Sequence, residues 1–196
     1  TYYWDVNGTT AGFSTVVGTW DNTNNFWNTD ASGGAAGSTI NTTTSTMDLI
    51  IPQATTNTGA LTISGAQSAS SLTFAANVGP TVTVSGSGLT IGGSGTNSGI
   101  FQQSTGANTI SSALTLNSGV SAFNFSNTST GLLTIGAVTG AVAAGTQTIT
   151  LGSSNSGGIT LNGAIGDGAS GGKVALTVNS SGTGLTTLSG ANTFTG

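Results

Sequence analysis

The stretch Gly182-Thr183-Gly184-Leu185-Thr186-Thr187-Leu188-Ser189-Gly190-Ala191-Asn192-Thr193-Phe194-Thr195-Gly196 is the clearest copy of a pattern that recurs, more loosely, back to about residue 60. The pattern is an apolar residue, a Thr, an apolar residue, then Ser, Gly or Asn. It returns as Leu61-Thr62-Ile63, Leu72-Thr73-Phe74, Val82-Thr83-Val84, Leu89-Thr90-Ile91, Leu114-Thr115-Leu116, Leu133-Thr134-Ile135, Ile149-Thr150-Leu151, Ile159-Thr160-Leu161 and Leu176-Thr177-Val178. Successive side chains of a strand point to opposite faces, so each unit puts two apolar groups on one side and Thr on the other. One unit is too short to bury anything alone. Many stacked in register share a core, which is the logic of a solenoid.

Outward from these units, Ile100-Phe101, Thr109-Ile110 and Ala137-Val138 read as weaker copies, and Phe123-Asn124-Phe125 as a copy with Asn for Thr. Gly, Asn and Ser separate them, as corners between short strands require. The irregular spacing argues against a strict short repeat. It fits two or three strands and about 20–30 residues per coil, giving on the order of five to seven coils. An antiparallel sandwich is the alternative, but it wants strands of about five or six residues and regular hairpins. Asn-Gly occurs only at Asn7-Gly8 and Asn162-Gly163.

Composition narrows the partners. Of 196 residues only Asp5, Asp21, Asp30, Asp48, Asp167 and Lys173 are charged, and Glu, Arg, His and Cys are absent. Abundant Val, Ile and Thr with little charge is the reverse of a disordered composition. One Lys makes no basic footprint for nucleic acid or anionic lipid. No segment approaches the roughly 18 apolar residues of a membrane span, so no membrane insertion is expected. A net charge of −4 offers little repulsion between copies. Without Cys, stability comes from stacking rather than disulfides. No signal peptide is read, so an exported protein would be in mature form from near Thr1.

Residues 1–47 read as a separate unit, an aromatic cap with an irregular first coil, ahead of solenoid repeats over 48–196. All three Trp and both Tyr fall here: Tyr2, Tyr3, Trp4, Trp20 and Trp27, joined by Phe13 and Phe26. Tyr3-Trp4-Asp5-Val6, Phe13 to Trp20 and Phe26-Trp27-Asn28 read as strands, with Asn7-Gly8 a tight-turn signal. Residues 31–47 read as a loop or an irregular first coil, and Asp48-Leu49-Ile50-Ile51 as a strand stopped by Pro52. Bulky aromatics suit the open end of a solenoid, where core and strand edges are exposed. An aromatic sugar platform at Trp20 and Trp27 is the competing reading; tryptophans near turns more often pack on something.

Thr183 to Gly196 closely resembles the autotransporter-associated β-strand repeat. The run Tyr3-Trp4-Asp5, Gly12, Gly18-Thr19-Trp20-Asp21 and Phe26-Trp27 looks like the tryptophan-rich start that often precedes such repeats. The resemblance implies a right-handed parallel β-helix, export to the cell surface, and adhesive or structural roles. The match is tight over the last 14 residues and one of style before them. A typical autotransporter also carries a membrane barrel, which is not among residues 1–196, and the family repeat usually continues past Phe194-Thr195-Gly196 into another strand.

Catalytic chemistry has little to work with. Without His or Cys there is no Ser-His-Asp or Cys-His arrangement. Paired carboxylates at about 5–10 Å serve some glycan hydrolases, but only Asp48 and Asp167 fall in the repeats, several coils apart. Asp5, Asp21 and Asp30 sit among Ca²⁺-compatible oxygens, yet Asp and Asn are ordinary turn formers. Gly166-Asp167-Gly168 lacks the full calcium nonapeptide. No enzyme, cofactor or metal site is therefore expected. Ice binding would need paired threonines on successive coils; Thr81-Val82-Thr83 and Thr148-Ile149-Thr150 have them and most units do not. Asn-x-Ser/Thr triplets such as Asn7-Gly8-Thr9, Asn41-Thr42-Thr43 and Asn127-Thr128-Ser129 are expected by chance in this composition.

The expectation is a non-enzymatic, secreted or cell-surface structural protein that assembles head to tail with copies of itself into a filament or sheath. Tyr2, Tyr3 and Trp4 at one end and Leu188 and Phe194 at the other are the expected contact residues. The alternative is a monomeric adhesin or stalk fragment of an autotransporter-type passenger, with surface glycans as partners.

Overall fold

The computed structural model describes residues 1–8, 10–34, 37–52, 58–76, 81–169 and 171–196. Ala35 and Ala36 of the expected loop or first coil, and Thr9 of the first Asn-x-Thr triplet, lie outside them. Among the described residues there is no helix, and the strands are short. The first are β1 (Tyr2–Trp4), β2 (Val17–Trp20), β3 (Trp27–Asn28) and β4 (Thr39–Ile40). Five three-strand coils follow. They are β5 (Asp48–Ile51), β6 (Gly59–Ile63) and β7 (Gln67–Ala69); β8 (Ser71–Phe74), β9 (Val82–Gly86) and β10 (Leu89–Ile91); and β11 (Gly99–Gln102), β12 (Asn108–Ile110) and β13 (Leu114–Leu116). The next are β14 (Ala122–Asn127), β15 (Leu133–Ile135) and β16 (Val138–Thr139), then β17 (Thr146–Ser153), β18 (Ile159–Leu161) and β19 (Ile165–Gly166). β20 (Lys173–Val178) and β21 (Thr186–Leu188) belong to a sixth. The protein is a β-solenoid.

Corresponding strands of successive coils pair in parallel, building three sheets. Sheet A runs β20-β17-β14-β11-β8-β5-β1-β3-β4, sheet B runs β2-β6-β9-β12-β15-β18-β21, and sheet C runs β19-β16-β13-β10-β7. Register is set by side-chain type. Leu49, Leu72, Ile100, Phe125 and Leu151 lie side by side in sheet A, all fully buried. The step from Leu49 to Leu72 is 23 residues and from Leu72 to Ile100 is 28, so coil length varies at the corners while the file stays in line. Leu61, Val84, Ile110, Ile135 and Leu161 form the matching file of sheet B, and Leu89, Leu114, Val138 and Ile165 that of sheet C. A one-residue slip would turn a whole file outward, which is why the pattern fixes the register.

The outer faces of sheets B and C carry files made mostly of threonine. Thr83, Thr109, Thr134, Thr160 and Thr187 stack in sheet B, and Thr90, Thr115 and Thr139 in sheet C. Each sheet carries one such file, not a regular pair, so the arrangement an ice-binding face needs is not formed there.

A second inward file of sheet A changes character along the axis. Ile51 and Phe74 give way to Gln102, Asn127 and Ser153, each at most 1% exposed. These polar groups satisfy the corner between sheets A and B, where only part of the turning backbone bonds the next coil. Gln102 Nε2 donates to the carbonyls of Ser104 and Gly106, both at 2.7 Å. Asn127 Nδ2 donates to Gly131 O (2.7 Å) and Gly158 O (2.8 Å), and its Oδ1 accepts from Ser129 N (2.9 Å). Ser153 Oγ donates to Gly157 O. At the other corner, Gln147 Nε2 donates to Asn117 O and Val120 O while its Oε1 accepts from Ala141 N and Val142 N.

The N-terminal segment closes one end of the stack. β1 pairs in parallel with β5, but β3 and β4 are antiparallel, so the sheet A ladder changes sense and finishes on a two-residue strand. A very short edge strand is a poor template for further pairing. Trp4, Trp20 and Trp27 are each at most 2% exposed and meet edge to face, with centroids 5.1 Å apart for Trp4–Trp27 and 5.0 Å for Trp20–Trp27. Trp20 Nε1 donates to Thr43 Oγ1, whose hydroxyl donates in turn to Gln67 Oε1 on β7. One detail differs from the sequence reading. Asn7-Gly8 does form a turn, with Gly8 at φ +70°, but it makes no hairpin because β1 and β2 lie in different sheets. Of the two readings of 31–47, loop or irregular first coil, the short strand β4 paired with β3 fits the second.

Candidate functional site

Two kinds of surface are distinctive, the ends of the stack and a groove on the outside of sheet A. The expected contact residues divide between the ends. Tyr2 pairs beside Leu49, and Tyr3 lies between Ile50 and Asn28 and stacks on Phe13 at 5.9 Å. Both tyrosines are half-buried. Trp4 is not at the outer surface: its ring is inside the cap and its Nε1 donates to Val17 O at 3.1 Å. β1 has a paired strand on each edge, so its backbone is committed and does not extend a neighbour's sheet. Trp20 and Trp27 are equally enclosed and form no exposed sugar platform.

At the opposite end the apolar files come to the surface. Val178, Leu185 and Leu188 are 57, 78 and 40% exposed, and Phe194 is half-buried against the core. The segment 193–196 is tied down nearby. Asp167 Oδ1 accepts from Val174 N (2.7 Å) and Thr195 N (3.1 Å), its Oδ2 from the Thr195 hydroxyl (2.7 Å), and Lys173 Nζ donates to Thr195 O. The Val174 amide is the main cause, with the Thr195 hydroxyl next, of an Asp167 pKa below the ordinary aspartate value.

The groove has a volume of about 610 Å³. Its floor is the outer face of β14 and β17, with Ala122, Asn124, Ser126, Thr150 and Gly152; one wall is the loop Thr96-Asn97-Ser98. That loop is braced from two coils away. Asp48 Oδ2 accepts from Thr96 N (2.8 Å), and its Oδ1 accepts from the Ser71 hydroxyl (2.7 Å) and Asn97 N (3.4 Å). Ser70 Oγ donates to Asn97 O at 2.6 Å. Partial burial pushes the Asp48 pKa up, but the hydrogen bonds from Ser71, Thr96 and Asn97 together outweigh it and leave the carboxyl below its ordinary value. Asp48 therefore serves as a brace, a role the sequence reading did not assign it. Its only signal in sequence was that it is one of two carboxylates in the repeats.

The remaining carboxylates serve turns. Asp21 accepts from Asn24 N (2.7 Å) and Thr23 N (2.8 Å), and these amides lower its pKa. Asp30 accepts from Ser32 and Gly34, and Asp5 from Asn28 and Asn7. Among the described residues no three His, Cys, Asp or Glu gather. No family model, curated protein or solved structure matches the chain.

Proposed function

We propose that this β-solenoid is a non-enzymatic structural protein, exported to the cell surface or beyond, that assembles end to end with copies of itself into a filament or sheath. The observation that supports the reading is sheet B. Its strands all run parallel, β2 is its first and β21 its last, and each of these two has a strand on one side only. A copy translated along the axis would bring β21 against β2 with the polarity the sheet already has. The half-buried Tyr2 and Tyr3 on one side, and Leu188 and Phe194 on the other, would flank that junction. A head-to-tail contact that does not close into a ring gives a filament. The low charge leaves little repulsion to oppose it.

Electron microscopy of the purified chain over a dilution series tests this. Fibres with a constant axial repeat near one solenoid length are expected. Dispersed rods at every concentration would overturn it and favour the second reading, an adhesin or stalk segment of an autotransporter-type passenger, for which the lateral groove speaks.

A further inference from the structure

The outer face of sheet A is more mixed than the threonine files of sheets B and C. Beside Thr148 and Thr150 of β17 it carries Asn124 and Ser126 on β14 and Gly152 on β17, of which Asn and Gly are poorly suited to strands. Asn124, Ser126 and Gly152 lie together in the floor of the groove, whose far wall is the loop that Asp48 and Ser70 hold in place. Residues that weaken a strand, gathered in the floor of a concavity with a braced wall, point to recognition rather than to stability.

The lining selects the ligand. It holds hydroxyls and side-chain amides and no charged residue, since the Asp48 carboxylate is taken up by Ser71, Thr96 and Asn97. An ion gains no partner of opposite charge there. Asn amides and Ser or Thr hydroxyls each donate and accept, which matches groups that also do both. The floor is the face of a sheet with its backbone bonds internally paired, so a peptide finds no free strand edge to extend. The volume falls within the about 300–1,000 Å³ of small-ligand sites. We propose that this groove binds an uncharged oligosaccharide, held by hydrogen bonds from Asn124, Ser126 and Thr150 against the loop Thr96-Asn97-Ser98. The site is lateral, so it is open whether the chain is a single rod or a filament subunit, and it does not depend on end-to-end assembly.

The test uses the full chain and two immobilised panels. One holds neutral tetra- to octasaccharides of glucose, mannose, galactose and N-acetylglucosamine; the other holds sialylated and sulfated glycans. Binding to at least one neutral series is expected. Asn124→Ala and the groove-filling Ala122→Trp should weaken it at least tenfold, while Thr115→Ala, on the outer face of sheet C, should leave it unchanged. Asn124→Ala keeps the test valid if Ala122→Trp misfolds. No neutral glycan retained, preference for the charged panel, or full binding by Asn124→Ala would each overturn the proposal.

Discussion

At the scale of the residue, the informative side chains are the polar ones inside. Asn127 fills a place in its file that Ile51 and Phe74 fill in earlier coils, because the corner it faces presents the Gly131 and Gly158 carbonyls and the Ser129 amide to its side chain. Asn127→Ala should lower stability by about 2–4 kcal/mol, since the Gly131 carbonyl and the Ser129 amide lose their partner and the Gly158 carbonyl keeps only Leu133 N. Thr160→Val on the outer face should stay within about 0.5 kcal/mol. Urea unfolding midpoints at unchanged slope would check both, and equal effects would refute the account. Asp21, Asp48 and Asp167 set the acid limb. All three are held below the ordinary aspartate value in the folded chain. Their contribution is therefore full above about pH 4 and lost as pH falls through the lower folded values. The thermal midpoint should be flat from about pH 7 to 5 and fall below about pH 4. Asp167→Asn should flatten that fall; a melting curve with the same pH dependence would count against the clasp. The inward Gln102, Asn127 and Ser153 were legible in principle, since each follows an apolar-x pair at the same parity. Polar residues after a strand read first as corner residues, and only the coil path shows that these point inward.

At the scale of the element, strands were legible and corners were not. Asp48–Ile51 matches its expected bounds, and every apolar-Thr-apolar unit falls within a strand. β7, β19 and β4 were missed because Gln67-Ser68-Ala69, Ile165-Gly166 and Thr39-Ile40 lack two flanking large apolar groups; their neighbours, not their own propensity, make them strands. Tight corners depend on glycine where coils touch. Gly99 has φ +144°, and an added Cβ there would strike the Asn124 carbonyl of the next coil. Gly99→Ala should cost at least about 2 kcal/mol, from strain and the clash combined. A near-native melting temperature would contradict this. In the cap, Trp20→Phe keeps an aromatic ring but removes the donor to Thr43. A loss of about 1 kcal/mol is expected, as for one hydrogen bond, with the near-ultraviolet dichroism of the remaining Trp pair preserved.

At the scale of the whole molecule, the two ends differ in kind. Sheet A stops at antiparallel strands over an enclosed tryptophan cluster, while sheet B keeps one polarity from β2 to β21. Leu188→Asp places a charge on a 40%-exposed side chain of β21 and should abolish fibres while leaving the β-sheet dichroism unchanged; undiminished fibres would exclude sheet B as the junction. The sequence by itself determined the class of fold, because a period of two with apolar flanks about a Thr is satisfied by stacked short strands and little else. It also determined the near absence of charge, and with it the poverty of ionic chemistry. Tertiary structure alone decided which strands share a sheet, that the three tryptophans turn inward, and that Asp48 braces a loop 48 residues away from it in sequence. Those outcomes depend on coil length and corner geometry. Coils of unequal length bring distant residues into line, and no local pattern records how many residues each corner takes.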